Sequence, residues 1–390
     1  MKHVRAIVFF CLVCFSFHFS FSQAPRRHKV AVFVPLYLDS AFGQSLNYQY
    51  GKSFPKMLNP GLEFYEGIQL AADSLNRTNA AFDINIYDTR SLAGAVNTVI
   101  HSTDFDNVEL IIGQVSREEL IQLAAVAKER NIPFIDTNLP NNYGVSDNPS
   151  LVLLSSTLRT HIEAIYRFLQ KGYSTAPIVV FSRKGDADEK LRALFNEVQK
   201  SSASIFLKPR FVQIGGAVSP QQLIPYLDST RSTLCVAGSL DETFARQIGQ
   251  SLAYLNKTYP VQLMGMPTWD AIKDFDKKDY NGLDIYYSTP FYNAKTDKAS
   301  MSISNYFKTN LYSRPTDMVF RGYECLMRFS KLLLDNASGG TAAIGDKKYK
   351  VFTDFDIQPV LNHTTLAIDY YENRKLYFIR TVDGSIKGAY

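Results

Sequence analysis

The chain reads as an α/β protein of two doubly wound parallel-sheet lobes. Three observations predict this. Short, near-continuous Val/Ile/Leu/Phe runs alternate with longer stretches whose apolar residues recur at helical spacing. The alternation runs through twice, divided by an Asn/Pro/Gly-rich loop at 138–149. The 390-residue length exceeds a typical single core, so two units of similar size are expected.

In the first series, 28–35 (HKVAVFVP) has the apolar density of a strand buried on both faces. The spacing predicts a helix over 62–76, a strand over 82–87 and a helix over 94–101. Strand 108–112 (VELII), helix 117–130 and strand 132–136 (IPFID) follow.

The second series predicts helix 157–171, strand 177–181 (PIVVF), helix 186–200 and strand 205–213. It continues with helix 220–228, strand 233–237 (TLCVA), helix 241–255 and strand 261–264. The last hundred residues break the rhythm. A strand is expected over 283–288, and helices over 297–312 and 316–334 are divided by Arg314-Pro315. Two alternating runs, 366–371 and 375–380, are joined by Glu372-Asn373-Arg374 and predict an antiparallel hairpin.

The N-terminus reads as a cleavable signal peptide over 1–22. A basic start with Lys2 and Arg5 precedes an apolar run over 6–21, and Ser20-Phe21-Ser22 supplies small residues at −3 and −1 relative to Gln23. The run is short for a spanning helix of about 20 apolar residues, and Ser16, His18 and Ser20 interrupt it. Lipidation at Cys14 is disfavoured because Cys11-Leu12-Val13 lacks a small residue just before the cysteine. Cleavage before Gln23 leaves six residues ahead of the first strand, which favours a freely diffusing periplasmic protein over a tethered one. No later segment is long and apolar enough to span a bilayer.

Loss of Lys2 and Arg5 takes the formal net charge from +5 to +3. That weak balance, with no Lys/Arg cluster, argues against nucleic acid as a partner. Cys235 and Cys325 lie in apolar runs and read as buried free thiols, not a disulfide framework.

Several short stretches carry a resemblance. The first strand is VAVFVPLYLD, and the first helix holds Phe64-Tyr65-Glu66-Gly67-Ile68-Gln69-Leu70-Ala71-Ala72. Ile111-Ile112-Gly113-Gln114-Val115-Ser116 forms a strand–Gly–x–x–Ser turn, Asn131-Ile132-Pro133-Phe134-Ile135-Asp136 a further strand, and Arg321-Gly322-Tyr323-Glu324-Cys325 lies within the helix expected over 316–334. Their order resembles the type I periplasmic binding proteins, the Leu/Ile/Val-binding group. The layout is similar to exported members from Bacteroidota-type bacteria. The resemblance implies three crossings between lobes, expected near 154–157, near 288–292 and between Gly340 and Phe355. Lobe one would be 28–153 plus 289–340, and lobe two 157–287 plus 345–390. A ligand would lie between them at the carboxyl ends of the strands.

On that rim, Gln114 and Ser116 sit where a helix N-terminus offers free N–H groups to a carboxylate. In amino-acid-binding members this turn holds the ligand carboxylate. Ser116 and Glu119 also have the spacing of a capping box, a role that can coexist with ligand contact. Thr137 and Asn138 follow the next strand and serve either as turn formers or as hydrogen-bonding groups. Tyr37 follows the first strand. In lobe two, Arg183 is placed to pair with an acidic ligand group, and Ser239 follows TLCVAG. Trp269, the sole tryptophan, either stacks on a ligand or plugs the lobe, and Thr289 lies at the second crossing. The family's amino-acid binders offer a lobe-two acid to the ligand amine. Asp241 and Asp270 are available, but both stand where a helix-start acid is expected anyway.

No metal-ligand spacing, G-x-S-x-G elbow or phosphate-binding glycine loop is present, so no enzyme, metal or cofactor is expected. The expectation is an exported protein that closes two lobes on a small polar ligand such as an amino acid, with an ABC permease as partner. The alternative is a non-catalytic envelope interaction protein of the same fold, without a small ligand.

Overall fold

Strand β1 (His28–Val34) runs through the centre of the first lobe because its residues are apolar on both faces. Val30, Val32 and Val34 face one side, and Ala31 and Phe33 the other. The structure is a computed structural model describing residues 27–389 apart from 44–45, 79–81, 204–205, 336–340 and 342. The leader expected over 1–22 lies outside the described residues.

Strands β2 (Phe82–Asp88), β3 (Val108–Gly113), β4 (Phe134–Asp136) and β5 (Leu151–Leu153) join β1 in a parallel array. The second lobe repeats the arrangement with β6 (Ile178–Arg183), β7 (Arg210–Ile214), β8 (Thr233–Ala237), β9 (Val261–Met264) and β10 (Asp284–Thr289). Four tail strands, β11 (Ile357–Leu361), β12 (Ile368–Asn373), β13 (Tyr377–Val382) and β14 (Ser385–Ala389), complete the sheets. The two seven-stranded orders are β11-β12-β5-β4-β3-β1-β2 and β14-β13-β10-β9-β8-β6-β7. Six longer helices cover them: α1 (Asn59–Arg77), α2 (Arg117–Arg130), α3 (Leu158–Tyr173), α4 (Asp186–Ser201), α5 (Glu242–Leu255) and α6 (Asp317–Asp335). Among the described residues no helix is long and apolar enough to cross a membrane. Cys235 and Cys325 are buried and free.

Helices α1 and α6 pack backbone to backbone on sheet one. A Cβ on Gly67 would stand 2.0 Å from the Val319 carbonyl oxygen, and one on Gly322 would stand 2.2 Å from that of Phe64. The two glycines admit this approach because neither carries a side chain. It fixes α6, and with it Arg321, against the first lobe.

Two expectations about the tail need correction. The runs expected to pair as a hairpin lie in different sheets. β12 adds parallel to β5 in lobe one, whereas β13 adds antiparallel to β10 in lobe two. The third crossing therefore falls at 374–376, not between Gly340 and Phe355. The physical reason is pairing at the sheet edges. β5 exposes a row of backbone groups, and β12, itself paired with β11, satisfies them. Phe355 and Ile357 bury in the lobe-one core, which carries the segment before β12 into that lobe.

The first and third crossings are tied together. Asn373, fully buried, accepts hydrogen bonds from Asp356 N–H and Lys375 N–H through Oδ1 and donates through Nδ2 to the Leu154 carbonyl. Its own carbonyl accepts from Ser156 Oγ at 2.6 Å, and Glu372 Oε1 accepts the Thr157 N–H at 2.7 Å.

Candidate ligand-binding cleft between the lobes

The turn after β3 is where the sequence places its leading anion site. The structure fills that turn from within. The Val115 N–H donates to Asn138 Oδ1 at 2.9 Å, and the Ser116 N–H donates to Glu119 Oε2 at 2.7 Å. The Glu119 N–H reaches Ser116 Oγ at 3.4 Å, which completes a reciprocal capping box at the start of α2. The other Glu119 oxygen pairs with Arg90 at 3.0 Å. Gln114 is buried, and its Oε1 has no partner.

The other residues singled out in the sequence fall in several places. Thr137 is fully buried and donates to the Gly113 carbonyl. Tyr37 adopts a left-handed conformation, φ 59°, with its N–H on Asp88 Oδ1. Arg183 pairs with Asp241 at 3.3 Å, and Asp241 caps α5. Ser239 is buried and donates to Asp188. Trp269 is buried against Phe275, its ring packed over the Gly265 backbone, which makes it a plug of lobe two. Asn138 and Thr289 are the two that line a cavity between the lobes.

That cavity has a volume of about 330 Å³. Lobe one contributes Asn138 and Arg321, lobe two contributes His161, Thr268 and Asp270, and the crossings contribute Ser155, Ser156 and Phe291. A smaller space of about 50 Å³ adjoins it, sharing Asp270, Phe291 and Arg321. A more voluminous apolar pocket, about 520 Å³, lies beside β2 within lobe one alone. The interlobe cavity is the better candidate because both lobes wall it and polar groups converge on it.

The polar centre of the cleft is Arg321 facing Asp270. The Arg321 guanidinium lies 3.6 Å from the centroid of the Phe291 ring. Its Nε is buried without a hydrogen-bond partner. Burial lowers its pKa, while Asp270, Asp317 and Glu324 favour its charge. Across the cleft, Asp270 Oδ2 lies 3.0 Å from Thr289 Oγ1, and burial raises its carboxyl. Asp136 at the end of β4 is fully buried, with Oδ1 unpartnered, and burial raises it well above the carboxylate range. His161 Nδ1 meets Ser288 Oγ at 2.8 Å, and burial pushes its pKa down to about 3, so the ring is neutral.

Sequence reasoning missed Arg321, Phe291 and His161 as site residues and weighed Asp270 only as a helix-start acid. A signal for Arg321 was present. Arg321, Glu324 and Arg328 recur at helical spacing on a helix whose other residues between 318 and 329 are apolar, glycine or Tyr323.

No protein-family model matches this chain, and no curated protein matches it. Solved structures do. The leucine binding protein LivK of Thermotoga maritima is 16% identical, with a TM-score of 0.52 over 93% of this chain and 98% of that one. A Rhodospirillum rubrum protein described as a branched-chain amino acid ABC transporter is 11% identical, with a TM-score of 0.66 over 93% and 99%. Haemophilus influenzae LpoA is 14% identical at a TM-score of 0.52, but this chain covers 59% of it. The sheet orders, the paired lobes and these likenesses agree: the chain has the two-lobed α/β fold of the type I periplasmic binding proteins.

Proposed function

We propose that this chain is a non-catalytic binding protein that closes its lobes on a small polar ligand in the interlobe cleft. The observation that carries this reading is the cavity of about 330 Å³ walled by both lobes, where a largely apolar lining with Pro140, Pro267 and Phe291 carries a few polar side chains from each lobe. Contacts from each lobe to one ligand give the closed state its advantage, because only the closed form makes both sets. The leader over 1–22 supports a periplasmic location, and the likeness to proteins of amino acid ABC transporters supports a permease as partner. Thermal-shift and calorimetric titration of the full chain against amino acids and small peptides tests the reading. Saturable binding with stabilisation is expected, and a flat response across the panel would sink it.

A second reading is favoured by one observation. The turn that holds a ligand carboxylate in amino-acid binders is closed here by Asn138 and Glu119. An envelope interaction protein needs no such turn. Pull-down from an envelope fraction tests it, with a stable stoichiometric partner expected.

A further inference from the structure

The closed turn after β3 leaves the cleft with a different group for an anion. Arg321 stands on α6, in the wall shared by the interlobe cavity and the smaller space beside it. One face of its guanidinium is stacked on Phe291. Among the described residues no side chain or carbonyl accepts a hydrogen bond from that guanidinium, and its Nε is buried and unpartnered. A guanidinium nitrogen shut from solvent without an acceptor is costly, and a bidentate carboxylate satisfies it together with a terminal nitrogen through two parallel N–H···O bonds.

The neighbouring charges limit what can bind. Asp317 is already paired with Lys295 at 2.9 Å, and Glu324 is held by the Phe352 and Thr353 N–H groups. Asp270 faces Arg321 without an ion pair, and its Oδ2 is within reach of the Thr289 hydroxyl. Arg321 and Asp270 offset each other, so a carboxylate on the guanidinium needs a donor from the same ligand to meet Asp270, and a second negative charge is repelled by that carboxylate. Asp270, as an acceptor, also prefers a hydrogen-bond donor on the side of the ligand away from Arg321.

Resting on the reading that the interlobe cleft binds a small ligand, we propose that Arg321 anchors the single carboxylate of that ligand. Asp270 receives a hydroxyl or ammonium donor from the same molecule. The class is therefore a small monocarboxylate bearing one donor, held at α6 and not at the N-terminus of α2.

The test is calorimetric titration of the full chain with paired probes: glycolate, lactate, glycine and leucine, the amides of the two hydroxy acids, malonate and inorganic phosphate. At least one monocarboxylate binds, and its amide binds about 30-fold or more weakly. Malonate and phosphate bind more weakly than the monocarboxylate. Arg321→Lys keeps the charge but loses the fork and weakens binding about 10-fold, and Arg321→Gln abolishes it. Circular dichroism establishes that each variant is folded. If Arg321→Gln does not fold, Arg321→Lys and the acid–amide comparison decide. Amides binding as well as acids, dianions binding as well as monoanions, or wild-type affinity in Arg321→Lys overturns the anchor while leaving the cleft as the binding site. A chain that binds none of the probes, charged or neutral, overturns the cleft reading and the anchor with it.

Discussion

The side chain of Asn138 bonds the backbone of Val115 in both directions. Oδ1 accepts the Val115 N–H at 2.9 Å, and Nδ2 donates to the Val115 carbonyl at 3.0 Å. The side chain thus occupies the backbone groups of the turn at the end of β3 and braces the rim of the cleft. Asn138→Ala is expected to lower stability by about 1–3 kcal/mol, because it leaves both Val115 groups without that partner. Urea denaturation measures the loss, and amide hydrogen exchange shows faster exchange at Val115. Unchanged exchange there would contradict the brace.

Gly67 and Gly322 carry the contact between α1 and α6. Gly322→Ala is expected to cost about 3 kcal/mol or more, since the new methyl meets the Phe64 carbonyl oxygen with no room to relax. Gly172 has open space around it, so Gly172→Ala serves as the control and is expected to be neutral or stabilising. Equal denaturation midpoints for the two variants would contradict the close packing.

Glu324 gives stability a pH dependence. Burial raises its folded pKa from the ordinary 4.5 to about 7, above the unfolded value. The folded chain therefore binds the proton more tightly than the unfolded chain. The stabilisation is fully present below about pH 4.5 and is lost as pH rises through about 7. Glu324→Gln has no proton to exchange. Its stability relative to wild type is expected to rise between pH 4.5 and 7, as read by denaturant midpoints at each pH. A constant difference across that window would contradict the assignment.

Asn373 knots the first and third crossings. Asn373→Ala removes the bonds to Asp356, Lys375 and Leu154 from a fully buried position, so a loss of about 3 kcal/mol is expected. A loss below about 1 kcal/mol in thermal or chemical denaturation would show that the crossings are held by packing alone.

The doubled α/β series was legible because the inner parallel strands are buried on both faces. Apolar runs such as Val30–Val34 and Leu234–Ala237 announce such strands by composition. The tail was not legible. Alternating runs of the type around Tyr370 and Phe378 fit a hairpin as well as two sheet edges, and only the unpaired edges of β5 and β10 decide between these. At the site, polar residues after strands marked the rim, and Asn138 and Thr289 do line the cleft. Their partners come from elsewhere in the chain. Arg321 reaches the cleft from α6, about two hundred residues after β3, because Gly67 and Gly322 let that helix lie close on lobe one. No local pattern encodes that approach. Ser116 shows the converse, since its capping spacing was visible and capping is the role its side chain takes.

Calorimetric titration of wild type and Ala271→Trp with the same probe tests the central claim most directly. Ala271 is exposed and lines the interlobe cavity, so the indole projects into the ligand space without disturbing the core. Binding by wild type and its loss in the folded Ala271→Trp variant is the expected result. Equal affinity in both proteins would place the ligand outside the cleft and contradict the proposed function.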